Sequence, residues 1–198
     1  MVKLAFRVRK ALTSTSSQEE FKTLIEIKAQ LPKVANFLAS GLQTSLISAA
    51  YQGEYLYAYS AAPVDNRRAL YTWVPGGDPR ANPQSPFIFS TSNDGLTFAI
   101  KSLYRNEYMF PDTNLLDSSR RFVRLWSNQT LEPIFSWKVE ILNDISVRIK
   151  SLSDEPLYAE TMAFALNAQR RSVFAGTSGH ICDTSCNWIL PNCNGKLQ

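Results

Sequence analysis

Histidine is almost missing from this chain: His180 is the only one, so any Ser-His or Cys-His dyad would have to be built on that residue. There is no His-Glu-x-x-His run, no glycine loop of the kind that cradles phosphate and no dinucleotide fingerprint. Asp112, Asp117, Glu132 and Glu140 would have to converge for paired-carboxylate chemistry, and nothing in their spacing selects them. The chain therefore reads as non-enzymatic, with no cofactor and no metal site expected.

Long apolar runs are missing too. None approaches the roughly 20 residues a membrane-spanning helix needs, and the apolar opening is broken by Arg7, Arg9 and Lys10, unlike a signal peptide. The expectation is a chain without a transmembrane segment, either a secreted protein in its mature form or a cytoplasmic one. The 21 basic and 17 acidic residues leave a net charge of +4. They are spread along the chain, so the clustered basic face of a nucleic-acid binder is not expected.

Cysteine is scarce and confined to the C-terminal end, at Cys182, Cys186 and Cys193. Three uses stay open: a local disulfide with a third thiol left free or bridging two chains, a set of reduced thiols, or zinc with His180 as fourth ligand. The spacing fits no zinc pattern. A bridging Cys193 would make a homo-oligomer. Asn128-Gln129-Thr130 fits the N-glycosylation acceptor pattern and leans toward secretion.

What the chain does have is recurrence. Glu54-Tyr55-Leu56-Tyr57-Ala58 followed by Arg67-Arg68 returns as Glu107-Tyr108-Met109-Phe110-Pro111 with Arg120-Arg121, and as Glu155-Pro156-Leu157-Tyr158-Ala159 with Arg170-Arg171. The arginine pairs lie 120 − 67 = 53 and 170 − 120 = 50 residues apart. A fixed period of this length signals one supersecondary unit used three times. Each unit reads as four short strands, with units over about 43–95, 96–144 and 145–193. Alternation in the first strands puts Phe98 with Ile100, and Val147 with Ile149, on the buried side.

Residues 1–42 stand apart from the strand-bearing 43–198. Residues 1–15 show no periodicity and are expected to form a loose arm. Ser17-Gln18-Glu19-Glu20 reads as a capping box. Phe21, Leu24, Ile25 and Leu31 then fall on one helical stripe, Pro32 interrupts it, and Val34, Phe37 and Leu38 resume it up to Gly41. This helical segment is expected to lie across the body and cover apolar surface.

Three units of four strands over residues 43–193 resemble a β-trefoil. With the Tyr55-Leu56-Tyr57-Ala58 and Asn66-Arg67-Arg68 to Trp73 phrases, the chain resembles small secreted insect trefoil proteins and, distantly, the haemolymph 30 kDa lipoproteins, which carry a fuller helical domain than the short helix or two expected here. The resemblance implies an all-β trefoil with a short N-terminal helical segment. It also implies extracellular recognition of a glycan, or of another anionic or polar partner such as a protein. Lectin-type trefoils carry a Gln-x-Trp triplet near the last strand of each unit; here Phe87-Ile88-Phe89, Ser136-Trp137 and Asn187-Trp188 stand there, so their sugar site does not carry over. The other readings are a trefoil protease inhibitor presenting Arg80 on an exposed loop and a self-assembling storage protein.

The candidate ligand residues are Arg67, Arg68, Arg120, Arg121, Arg170 and Arg171, with Tyr59 and Tyr104 as stacking platforms beside Tyr71 and Phe110. Neighbouring residues on a strand face opposite ways. One arginine of each pair would therefore point to the cap and the other to solvent. They would either brace loop carbonyls and the recurring Glu54, Glu107 and Glu155, or form a basic rim for sulfated or phosphorylated ligands.

Overall fold

The computed structural model describes residues 1–51, 54–60, 66–73, 84–92, 95–127, 133–161, 170–177, 180 and 182–194. Its N-terminal part is helical from the second residue: α1 spans Val2–Ser14, α2 Gln18–Gln30 and α3 Lys33–Ser40. The expected loose arm is thus a helix. Val2, Ala5 and Val8 are its buried residues, and Ala5 meets Ala35 and Ala39 of α3, small side chains that let two helices approach closely. Ser17 caps α2 by accepting from the Glu20 backbone N–H at 3.4 Å. The Glu20 carboxylate does not complete the box but accepts from the Thr15 hydroxyl at 2.7 Å. The helix ends ahead of Pro32, and Gly41 terminates α3 at φ 66°, a left-handed conformation that favours glycine.

Of the expected helical stripe, the buried residues Val34 and Leu38 lie in the part after Pro32. No residue of α2 is buried, and Phe21 and Ile25 are 45% and 47% exposed. Val2 of α1 and Val34 and Leu38 of α3 instead join the main core. There are three helices, more than the expected short segment, and α1 and α3 supply the residues that pack on the strands.

The strands fall into two sets. The first comprises β1 (Gln43–Thr44), β2 (Ile47–Ser48), β5 (Phe87–Thr91), β6 (Thr97–Ser102), β9 (Ser136–Ile141), β10 (Ser146–Ser151) and β13 (Asn187–Ile189). Pairing runs from β1 through β5, β6, β9, β10 and β13 to β2, so the consecutive short strands β1 and β2 close a barrel. Phe87, Phe89, Phe98, Ile100, Val147 and Ile149 are buried in its core, as alternation predicts for the strands of a half-solvated wall.

The second set is three hairpins: β3 (Tyr55–Ala58) with β4 (Arg67–Trp73), β7 (Glu107–Pro111) with β8 (Arg120–Trp126), and β11 (Leu157–Ala159) with β12 (Arg170–Gly176). Their second strands meet in a triangle, β4 with β8, β8 with β12 and β12 with β4. Leu56, Met109 and Leu157 lie opposite Thr72, Leu125 and Ala175, each five residues past the first arginine of its pair. All three are fully buried in one core. The Trp137 and Trp188 indoles, also fully buried, donate to the Met109 and Leu157 carbonyls at 2.8 and 3.0 Å and fasten barrel to hairpin.

The cysteines resolve into a disulfide, Cys182–Cys186, and a free thiol at Cys193. Cys193 lies in the main core, and burial pushes its thiol up to about 12. Its expected place in a disulfide or an intermolecular bridge is corrected accordingly: a side chain inside the core cannot reach a second chain. Among the described residues no helix is long and apolar enough to cross a membrane. Arg80 and Asn128 lie outside the described residues.

Candidate functional site

The arginine pairs sit at the heads of β4, β8 and β12, and each pair reaches toward the next hairpin in turn. The second arginine turns inward. Arg68 makes a bidentate bond to Glu107, Nε to Oε2 at 2.8 Å and Nη2 to Oε1 at 3.1 Å. Arg121 holds Glu155 at 2.9 Å, and Arg171 holds Glu54 at 2.9 Å. Their remaining donors take backbone carbonyls: Arg68 that of Tyr59, Arg121 those of Asp112 and Thr113, Arg171 those of Glu160 and Thr161. A planar fork of donors suits this double duty, which a lysine could not perform. The ligand role expected for Arg68 is therefore corrected, since its guanidinium is buried and its donors are engaged by Glu107 and Tyr59. Arg121 and Arg171 are braced in the same way.

The first arginine of each pair lies on the aromatic residues of the neighbouring hairpin. Arg67 sits 5.9 Å from the Phe110 ring centroid and 6.0 Å from that of Trp126. Arg120 stands 4.6 Å from Phe174, and its charge opposes the rise that burial imposes on the Tyr158 hydroxyl. Arg170 is surrounded by Tyr57, Tyr59 and Tyr71 at 5.8, 5.1 and 5.6 Å. Contacts of this kind stabilise a partly dehydrated guanidinium.

Carboxylates complete two of the three settings. Asp112 accepts from Arg67 Nη1 at 3.1 Å and from Arg124 Nε at 2.9 Å. Glu160 accepts from Arg120 Nη1, while Asp117 takes Arg120 Nε at 2.7 Å. The Arg120 bond, followed by those from Ser119, holds the Asp117 carboxyl down at about 2. Asp112, Asp117 and Glu140 thus face different cations, Glu140 being paired with Lys150, and do not converge as an acid pair; Glu132 lies outside the described residues.

Between the three second strands lies a groove of about 410 Å³, walled by Tyr71, Arg120, Phe122, Arg124, Glu160 and Phe174 among others. Its shape follows from the cross-strand pairs of the triangle. Phe122 faces Phe174, their rings 5.3 Å apart, and together they fill that side. Ala69 faces Arg124 and Ser172 faces Tyr71, so small residues leave the other two sides open. Burial pushes the Tyr71 hydroxyl up, with Arg170 and Arg124 each opposing the rise. Tyr71 thus forms the wall shared by the groove and the Arg170 setting.

Of the expected stacking platforms, Tyr59 is half-buried at Arg170 and crosses Tyr71 at 5.4 Å. Phe110 is buried, because its ring packs on Phe135 at 5.6 Å. Tyr104 stands outside the groove, with Arg105 stacked on it at 4.3 Å and donating to the Ser60 carbonyl. Arg124, Glu160, Phe122 and Phe174 were not singled out by the sequence, and Asp112 only as one of four scattered carboxylates. A signal for two of them exists: Asp112 and Glu160 each stand five residues after the recurring glutamate, where the first hairpin has Tyr59.

No protein-family model and no curated protein matches the chain. Solved structures do. A designed three-fold symmetric protein, ThreeFoil, aligns with a TM-score of 0.58 at 12% identity over 75% of this chain and 96% of its own. The body is trefoil-like. A salivary protein of the Cysteine and Tryptophan-Rich family from Culex aligns at 0.54 and 14% identity over 74% of this chain and 90% of its own. A Polyporus squamosus lectin gives 0.54 and 15% over 74% and 47%. At these identities the likeness is one of fold alone.

Proposed function

We propose that this chain is a non-enzymatic extracellular binding protein whose cap face, at the meeting of β4, β8 and β12, holds a glycan or another polar partner. The body is read as three four-stranded units, over about 43–95, 96–144 and 145–193. The observation that carries the reading is the groove itself: aromatic rings of Tyr71, Phe122 and Phe174 alternate with the charged heads of Arg120, Arg124 and Glu160 in about 410 Å³. Such a mixture of apolar wall and few polar groups is what a ligand site needs. A lectin among the structures of similar fold supports the glycan class. The local disulfide fits secretion.

The test is a glycan array probed with the wild-type chain and with Ala69→Trp. Ala69 is a half-exposed groove residue, so an indole there fills the space without removing any charged group. Capture by the wild type and loss in the variant, at an unchanged melting temperature, is expected. Blank arrays for neutral and charged glycans alike would sink the glycan reading.

A further inference from the structure

Arg170 is the one first-position arginine set against a neutral residue where its two counterparts meet an acid. The three hairpins present the same geometry to Arg67, Arg120 and Arg170: an aromatic side chain beside the guanidinium, and a residue five places after the recurring glutamate within reach of it. In the second and third hairpins that residue is Asp112 or Glu160, and its carboxylate accepts from the arriving arginine. In the first it is Tyr59. Among the described residues no carboxylate pairs with Arg170, whose guanidinium is enclosed instead by three tyrosine rings.

A second observation falls on the same spot. Arg170 Nε, the Tyr57 hydroxyl and Trp73 Nε1 are buried without a hydrogen-bond partner. They are neighbours, since Arg170 lies opposite Trp73 in the β12–β4 ladder and the Tyr57 and Trp73 rings are 5.8 Å apart. Buried donors of this kind are rare, and each calls for an acceptor. A half-buried cation next to unpartnered N–H and O–H groups favours an acceptor that also carries negative charge, because a charge-assisted bond is about twice as strong as a neutral one.

We propose that Arg170, with Tyr59 and Tyr71 as flanking rings, is the anchor for an oxyanion group, a sulfate, phosphate or carboxylate, borne by the ligand of the cap face. The external anion takes the part that Asp112 and Glu160 play internally at the other two arginines. Tyr71 joins this anchor to the groove, so a single ligand would lie along the groove with its anionic group at Arg170. This assignment rests on the binding reading given above for the cap face, yet the anion itself can be tested without knowing the rest of the ligand.

The experiment measures thermal stability of the full chain against sodium sulfate, phosphate and acetate, each compared with sodium chloride at equal ionic strength. The three salts distinguish tetrahedral oxyanions from carboxylates as the better fit. At least one is expected to raise the melting temperature beyond chloride in a saturable way. Tyr59→Asp restores at this position the acid its counterparts have; it should raise the melting temperature without added salt and abolish the anion-specific rise. Arg170→Gln, which keeps a similar length without the charge, should abolish it as well. A saturable rise that persists in both variants, or no anion-specific rise in the wild type, overturns the proposal. Anion binding by a chain that captures no glycan would leave this inference standing and remove the glycan reading. Capture of neutral glycans with no response to anions would do the reverse.

Discussion

Arg171 donates through Nε to Glu54 at 2.9 Å across 117 residues of sequence, tying the last hairpin to the first. With Arg68 on Glu107 and Arg121 on Glu155, the three bonds run in one rotational sense around the cap and close on themselves. Each hairpin thus holds the next through its carboxylate, while the same three arginines also take backbone carbonyls of their own hairpins.

The pair most enclosed by protein should be the most sensitive. Arg68 and Glu107 side chains are only 7% and 8% exposed, so Arg68→Ala strands a buried carboxylate and should lower stability by about 3–5 kcal/mol. Arg67→Ala, one residue away, removes a partly exposed cation whose partner Asp112 keeps Arg124. It should change stability by less than about 1 kcal/mol. Urea unfolding of the two variants checks this, and equal losses would show that the buried ring does not hold the cap.

Much of this ring was legible in advance, because the same glutamate and arginine recur and a sequence period exposes them together. The direction of pairing was not, since spacing along the chain says nothing about which copy an arginine meets. The helical part shows the converse. The stripe of Phe21, Leu24 and Ile25 announced an amphipathic α2 correctly, but periodicity cannot say whether anything covers the stripe, and nothing buries it. In α1 the buried face is only Val2, Ala5 and Val8, too slight to stand out among four basic residues. The groove was hidden for a third reason: it depends on which residues face each other across β4, β8 and β12, and small Ala69 and Ser172 draw no attention until their partners are known.

Gly176 stands where the other two hairpins carry Trp73 and Trp126, six residues past the first arginine. The His180 ring fills the place beside it, stacked on Tyr158 at 4.1 Å. A Cβ on Gly176 would come within 2.6 Å of His180 Cγ and 2.7 Å of its Cβ, atoms too near the backbone to swing aside. Gly176→Ala should therefore cost about 1–3 kcal/mol through overpacking. His180→Ala introduced on top should recover part of that loss, which a double-mutant cycle in urea measures. A single variant as stable as the wild type would mean that the His180 stack is not fixed.

Stability should fall on the alkaline side. Burial raises the Cys193 thiol from 9.0 to about 12 and raises the hydroxyls of Tyr57 and Tyr71 in the same direction. For each group the folded state keeps its proton to higher pH than the unfolded chain does. Above about pH 9 the unfolded state therefore binds fewer protons, and unfolding becomes easier as pH rises. The stabilising contribution is complete below pH 9 and, for Cys193, disappears through about pH 12. Melting curves at rising pH should show the decline, and Cys193→Ala should flatten its thiol portion. A melting temperature constant up to pH 11 would contradict the assignment.

The disulfide and the buried thiol make opposite predictions for labelling. Cys182 and Cys186 are four positions apart, and closing so short a loop is worth only about 2 kcal/mol in the chain-entropy account. Even when reduced, the turn keeps the bond in which the Asp183 carboxylate accepts from the Ser185 N–H at 2.7 Å, so reduction should lower the melting temperature without unfolding the chain at room temperature. Cys193 is buried beneath α3 and the barrel core, and its raised pKa keeps it as the unreactive thiol. Alkylation followed by mass measurement should therefore add no label to the native unreduced chain and one to the unfolded unreduced chain, at Cys193. Unfolding with reductant should expose all three cysteines. An unfolded, unreduced species of twice the chain mass carrying no label would place Cys193 in a bridge between two chains, and the buried position would then be wrong.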